Sequence, residues 1–279
     1  MIECHAGTCT YLRFERLSQE PAIVHGVFTR HGGVSAPPFA SLNASVATGD
    51  DPAAVANNRK IIAGALELPL ASARPVHGAR VVEVTSRSST SPASGTRRWR
   101  SLADEADAMM TDEPGLGLFW AFADCVPLIL FDPAHRAVAL VHAGWRGTAQ
   151  AIAARAVRAM RARYGSRPAD LLAGVAPAIG KCCYRVSHEV RACFDATPEA
   201  RDTACFERRG EPVGDAASLP VYLDLWESNR RQLLAAGLAS DHIELAGLCT
   251  GCRTDLFYSH RIESKPTGRF GVAVGLAPA

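Results

Sequence analysis

The sequence has no run of about 18 apolar residues, so nothing in it is expected to span a membrane. Its start, Met1 to Thr10, shows no basic segment followed by an apolar one, and no secretory signal is expected. An excess of one charge is missing as well: 30 Lys and Arg against 28 Asp and Glu leave a formal net charge of +2. The arginines are scattered rather than gathered on one face or tail, so no nucleic-acid partner is expected. The densest group, Arg97, Arg98 and Arg100, lies in a Ser-rich stretch (Ser86 to Ser101) that reads as an exposed loop. There is no internal repeat. None of the 9 histidines stands in a His-x-His pair, which argues against a multicopper oxidase.

What is present describes an ordinary globular chain. Its 279 residues are 48% hydrophobic and 21% charged, enough to bury a substantial core. The 9 cysteines are an odd number, and with no leader they read as reduced thiols of a cytoplasmic protein, some chemical rather than structural.

Short apolar runs bounded by Gly, Pro or Asp predict strands over Ala22 to Phe28, Val81 to Val84, Gly115 to Ala123, Val126 to Phe131 and Ala137 to Val141. Leu171 to Val175, Ile243 to Leu248 and Phe270 to Val274 continue the series. Several are apolar throughout, as strands covered on both faces are. Helical patterns lie between them. Asp50 or Asp51 caps one through Leu66, with Pro52 in its first turn. Thr148 is expected to cap Ala149 to Tyr164, Ser187 opens a helix through Phe194, and a fourth runs from about Asp224 to Ala236 before Gly237. Strands alternating with helices indicate an α/β protein. One domain over 1–279 is expected, with residues 1–20 as a peripheral segment.

Three polar groups stand at strand ends: His77 before Val81, Cys125 between two apolar runs, and His142 where a strand meets a helix. Strand ends beside Gly-rich turns are where α/β folds place ligands. Two imidazoles and a thiolate suit Zn²⁺, and three protein ligands leave the fourth position open, as catalytic zinc requires. The same residues also read as a buried core cysteine and two hydrogen-bonded loop histidines. Cys249-Thr250-Gly251-Cys252 is a CxxC, but Cys182-Cys183 has the wrong spacing for a second such pair, so both read as structural or incidental. Thr29 to Ser35, with Arg30, His31, Gly32 and Gly33, is either an anion cradle or a plain Gly-rich turn. Ser41-Leu42-Asn43 could read a base or sugar, or close an Asx turn. Arg146 could grip an anion or form a surface ion pair.

Taken together, TRHGGVSAPPFASLN (Thr29 to Asn43), VHG, DAMMT (Asp107 to Thr111), ADCVPL (Ala123 to Leu128), HAGWRGT (His142 to Thr148), IGKCCYRVSHEV, Leu248 to Thr254, FYSHR and GRF resemble the YfiH/laccase-domain family, from about residue 22 to 275. That resemblance implies a single α/β/β/α sandwich with mixed sheets, shared with the catalytic domain of cytotoxic necrotizing factor toxins. It implies zinc on His77, Cys125 and His142, and a purine pocket at Arg30, Ser41 and Asn43. Ala178 departs from relatives that carry a cysteine there.

The activity implied is phosphorolysis of adenosine, inosine or methylthioadenosine, together with deamination of adenosine. Purine nucleoside and phosphate would be the partners. Asp124 is the candidate acid/base, or else orients a ligand; Arg30 or Arg146 would hold phosphate. Two other activities implied by relatives are amide hydrolysis on a peptidoglycan precursor, either by metal-bound water or with Cys125 as nucleophile and His142 as base, and copper polyphenol oxidation. A non-enzymatic metal-binding protein is a further class, opposed by the intact ligand motifs. Nothing in the sequence gives the oligomeric state.

Overall fold

The computed structural model describes residues 1–88, 99–210, 219–263 and 266–278. It is a single-domain α/β/β/α sandwich. The larger sheet contains β1 (Ile2–Ala6), β2 (Cys9–Arg13), β3 (Ile23–Phe28), β4 (Leu70–Arg74), β6 (Trp99–Glu105), β8 (Gly117–Phe122) and β16 (Phe270–Leu276), in the order β1-β2-β3-β16-β8-β4-β6. The second sheet contains β5 (Val81–Glu83), β7 (Ala108–Thr111), β9 (Val126–Asp132), β10 (Ala137–Ala143), β11 (Leu172–Val175) and β15 (Ile243–Leu245), in the order β15-β11-β9-β10-β7-β5. A small sheet of β12 (Arg185–Val186), β13 (Phe206–Arg208) and β14 (Val221–Leu223) stands apart.

The helices are α1 (Pro52–Ala65), α2 (Trp145–Ala149), α3 (Ile152–Tyr164), α4 (His188–Asp195) and α5 (Leu225–Ala235). Three apolar layers result. Ile62 and Ala63 of α1 pack with Phe119 and Ala273 on the outer face of the larger sheet. Phe122, Phe270, Val272, Ile129, Phe131 and Leu140 fill the space between the sheets. Val126, Leu128, Val141, Val157 and Met160 join the second sheet to α3. Alternate residues of β8, β9, β10 and β16 enter different layers, so these strands need apolar side chains at every position. That is why they read as unbroken hydrophobic runs.

All eight predicted strands are present, within a few residues of their expected ends. Asp51 caps α1 by accepting from the Ala53 N–H, and Asp224 caps α5 by accepting from Glu227 N–H. Thr148, by contrast, is not a cap. It lies inside the short α2, whose cap is Gly144, and the chain breaks at Ala151 (φ 57°) before α3 begins. The Thr148 hydroxyl instead accepts from Asn229 Nδ2 at 3.1 Å. Of the expected Ser86–Ser101 loop, 89–98, with Arg97 and Arg98, lie outside the described residues. Trp99, Arg100 and Ser101 belong to β6, and Arg100 donates to the carbonyls of Thr85 (3.0 Å) and Ser88 (2.9 Å) rather than facing water. Of the first twenty residues, Ile2–Arg13 form the β1–β2 hairpin, which pairs onto β3 at the sheet edge, and Phe14 and Leu17 just beyond it enter the core.

Candidate functional site

The chain crosses from the larger sheet to the second three times: from β4 to β5, from β6 to β7 and from β8 to β9. β4 is parallel to β6 and to β8, and β5 to β7, so the three crossings leave by one end of the sandwich. Each carries a polar residue there. His77 lies on the first, Asp107 on the second, and Asp124 with Cys125 on the third. β10 runs antiparallel to β9 with His142 opposite Pro127, which returns its last turn to the same end. The topology therefore gathers four side chains that lie up to 65 residues apart, since His77 and His142 meet here.

One ligand atom from each of His77, Cys125 and His142 lies within 4.8 Å of the others. The two imidazoles meet edge to face, with centroids 4.9 Å apart and planes at 81°. Phe122 packs against His142 at 5.6 Å, so an apolar wall backs the buried ring. Asp107, fully buried, supports the group. Its Oδ1 contacts His142 Nδ1 at 3.0 Å and accepts from His77 N–H at 2.8 Å, while Oδ2 accepts from Gly78 N–H at 2.7 Å. With Nδ1 engaged, His142 presents Nε2 to Cys125. A carboxylate behind a histidine in this way fixes its tautomer and raises its basicity as a ligand.

The electrostatics match. Burial alone would raise the Cys125 thiol, yet the charge and hydrogen bond of His142, joined by His77, bring it down to about 6. Burial would likewise lower His142, but Cys125 and Asp107 hold it up at about 9. The result is a thiolate beside an imidazolium, and a cation entering between them would displace the imidazolium proton. His77 adopts φ 58° and Asp124 φ 83°, left-handed conformations that non-glycine residues rarely take, and they flank the pocket. Gly144 has a local reason to be glycine: a Cβ there would stand 3.0 Å from Cys125 Sγ and 3.6 Å from His77 Cδ2. This donor set, with its prepared thiolate and its ligand atoms within 4.8 Å of one another, can hold a metal ion.

The other expected site residues are placed as follows. Asp124 does not face the triad. Its Oδ1 accepts from Thr250 Oγ1 (2.7 Å) and Ser259 Oγ (2.8 Å), and its Oδ2 accepts from Arg261 N–H (2.6 Å). Its carboxylate thus ties two loops to the residue preceding Cys125. Arg30 donates to the carbonyls of Ala40 and Thr254, pairs with Glu263 at 2.8 Å, and stacks on Tyr258. Ser41 Oγ donates to Arg30 O and accepts from Gly33 N–H. Asn43, fully buried, donates to Ser45 O, Thr48 Oγ1 and Asp50, and accepts from Arg269 N–H at 2.9 Å. These three side chains are spent within the fold. Gly32 and Gly33 serve close backbone packing: a Cβ would lie 2.0 Å from Thr8 O and 2.2 Å from Ser41 O, respectively.

Arg146 is exposed, with its guanidinium 4.3 Å above the Trp145 ring, immediately beyond Gly144. Two further arginines that sequence reasoning passed over lie within electrostatic reach of this region. Arg261 lies 4.9 Å over the Tyr184 ring, and Arg269 is held by the carbonyls of Thr267 and Gly268. Burial raises the Tyr184 phenol, the charge of Cys125 adds to that rise, and Arg261 and Arg146 oppose it, so all three lie within electrostatic reach of this ring. Arg269 likewise lies within electrostatic reach of Asp124 and Cys125. The structure also reveals Asp107, whose signal was a lone acid at the head of the apolar run Ala108 to Met110.

The family model described as multi-copper polyphenol oxidoreductase laccase matches residues 24–277. The chain is 39% identical to purine nucleoside phosphorylase YlmD of Geobacillus stearothermophilus over 255 residues, 90% of this chain and 89% of the relative. It is 32% identical to purine nucleoside phosphorylase YfiH of Escherichia coli, over 89% of this chain and 91% of the relative. Among solved structures, the hypothetical protein YfiH of Bacillus licheniformis superposes with a TM-score of 0.84 at 36% identity, covering 97% of both chains.

Proposed function

The chain belongs to the multi-copper polyphenol oxidoreductase laccase family, and from that membership we propose that it is a zinc-dependent purine nucleoside phosphorylase working in the His77–Cys125–His142 pocket. The observation that supports the reading is the convergence of that donor set, with Arg146 two residues beyond Gly144 and Arg269 within electrostatic reach of Cys125. Two imidazoles and a thiolate suit zinc, and the low thiol pKa favours it further. When bound, zinc supplies a Lewis-acid charge that polarises the group it meets.

In phosphorolysis a phosphate oxygen forms a bond to the ribose C1′ as the bond from C1′ to the base nitrogen breaks. Phosphate must be held against the sugar face while purine departs. Arg146, and Arg261 through the donors left by its bond to Arg185 O, can grip it in place of Arg30, which bonds Ala40, Thr254 and Glu263. Asp107 holds His142, and Asp124 positions Cys125 rather than transferring protons, since three donors already engage its carboxylate. Arg30, Ser41 and Asn43 act as scaffold. Copper oxidation fits less well: among the described residues the only other cluster of potential ligands consists of four cysteines, with no further histidine group. The 9 cysteines are all free thiols, which suits a cytoplasmic setting.

A second reading has its own support. Cys125, His142 and Asp107 are arranged as nucleophile, base and orienting acid, the layout of a thiol amidohydrolase such as one acting on a peptidoglycan precursor. One experiment separates the readings. Purified zinc-loaded chain is incubated with adenosine, with and without phosphate, and the products are resolved. Phosphate-dependent adenine release is expected, absent in His77→Ala; inosine would reveal deamination. Rapid alkylation of Cys125 in the zinc-loaded protein, with no nucleoside turnover, would favour the thiol nucleophile.

A further inference from the structure

Outside the candidate active site the fold builds a second convergence of metal-binding groups. The parallel pairing of β11 with β15 continues into the loops that follow, where Ala178 bridges Cys249 and Thr250 N–H donates to Ala178 O at 3.1 Å. Running side by side, these loops bring the adjacent Cys182 and Cys183 to the Cys249-x-x-Cys252 turn. All four sulfur atoms lie within 4.8 Å of one another. Cys252 Sγ is 3.5 Å from Cys182 Sγ and 3.6 Å from Cys183 Sγ. A tetrahedral zinc with bonds of about 2.3 Å sets its sulfurs about 3.8 Å apart, whereas a disulfide needs about 2.05 Å. The spacing is that of ligands around an ion.

Local backbone features support the same use. Gly180 N–H donates to Cys249 Sγ at 3.2 Å, and the Cys252 backbone also hydrogen-bonds that sulfur. N–H groups aimed at a sulfur stabilise its thiolate form. A glycine opens each loop for the cluster. A Cβ at Gly180 would lie 3.3 Å from Cys182 Sγ, and one at Gly251 would lie 3.2 Å from Cys183 Sγ. Lys181 and Arg253 adjoin the cysteines in sequence and Arg209 lies within electrostatic reach of Cys182, each paired with an acid of its own (Asp224, Asp255 and Glu207).

We propose that Cys182, Cys183, Cys249 and Cys252 form a second, structural metal site that takes zinc as a tetrathiolate. On binding, four S–H bonds give way to four metal–sulfur bonds and the protons pass to solvent. The ion staples two loops that reach the active site. Tyr184 follows Cys183 directly, and Thr250, inside the CxxC turn, donates to the Asp124 carboxylate beside Cys125. The site does not depend on what reaction the first one performs.

The test is metal counting on the full chain, using zinc and cobalt(II) alone as probes. Elemental analysis of dialysed protein should give two ions per chain. Cys182→Ser/Cys252→Ser and Cys125→Ala should each retain one, and their combination none. Cobalt(II) protein should show intense sulfur-to-metal charge transfer that survives Cys125→Ala and falls to the weaker band of the single Cys125 thiolate in Cys182→Ser/Cys252→Ser. Should the serine variant misfold, wild-type protein still decides: with metal bound these four thiols should resist alkylation, and a chelator should expose them together. One ion per chain that Cys125→Ala alone removes would overturn the site. So would free alkylation of the four thiols in metal-loaded protein, or a Cys182–Cys252 disulfide in protein purified with its metal. Zero ions on Cys125→Ala with the four thiols unprotected would leave the first site standing and refute the second.

Discussion

Replacing Asp107 by alanine should weaken metal binding without touching a ligand. The carboxylate holds His142 Nδ1 at 3.0 Å and accepts from the N–H groups of His77 and Gly78 at 2.8 and 2.7 Å, so one buried group orients two of the three ligands. Burial opposes its charge, yet these bonds still keep its pKa below the usual carboxylate range. Losing the carboxylate behind a ligating histidine costs about 10- to 100-fold in metal affinity, or about 1.4–2.7 kcal/mol. The two N–H groups lose their acceptor too. Because His77 is exposed and Gly78 only half-buried, water can replace part of that loss, and the metal-free protein should become less stable by about 1–3 kcal/mol. Asp107→Asn keeps the shape but turns an amide N–H toward one of the backbone donors, and should fall between the two. The assay is zinc competition against a chromophoric chelator, with circular dichroism confirming the fold. A folded Asp107→Ala protein whose zinc affinity stays within about threefold of wild type would refute the reasoning.

Three further expectations follow from the same geometry. Gly144→Ala keeps a backbone (φ −70°, ψ 170°) open to any residue, so its effect isolates the 3.0 Å approach to Cys125 Sγ; overpacking costs about 1–3 kcal/mol, and zinc affinity measured by competition should fall about tenfold or more. Arg146→Ala and Arg261→Ala should each raise the KM for phosphate about tenfold, the worth of one charge-assisted hydrogen bond, while zinc content stays unchanged by elemental analysis. His25 is fully buried, accepts from Phe14 N–H at 2.9 Å, and is held down to about 3 by burial and then by Arg13. Between its unfolded value of about 6.5 and that lower value the unfolded chain binds a proton that the folded one refuses. Stability should therefore fall with pH through this window, by up to about 1.4 kcal/mol per unit. Denaturant titrations of wild type and His25→Gln at pH 7.5 and 5 should differ in slope accordingly, and parallel curves would contradict it.

The sequence carried the frame well because its core strands are buried on both faces and its helix caps are Asp51 and Asp224, both of which act locally. The three candidate ligands stood out because each lies where an apolar strand begins or ends. What stayed hidden depends on pairing across distance. Asp107 gains its role only when one sheet-to-sheet crossing lies beside another. The Cys182-Cys183 pair looked unable to partner the CxxC because spacing along the chain was the guide, whereas the parallel β11–β15 register brings them together across about 70 positions. Arg30, Ser41 and Asn43 illustrate the converse: polar residues in a motif whose bonds all turn inward. The break at Ala151 defeated the expected Thr148 cap, since no propensity marks an alanine for a left-handed turn.

The central claim is that the His77–Cys125–His142 pocket with its arginine rim performs phosphorolysis. It is tested most directly by following hypoxanthine release from inosine by zinc-loaded protein while phosphate is varied. Saturable, phosphate-dependent release that vanishes in His77→Ala is the predicted result. No release above the His77→Ala control at any phosphate concentration, from protein holding its zinc, would contradict it.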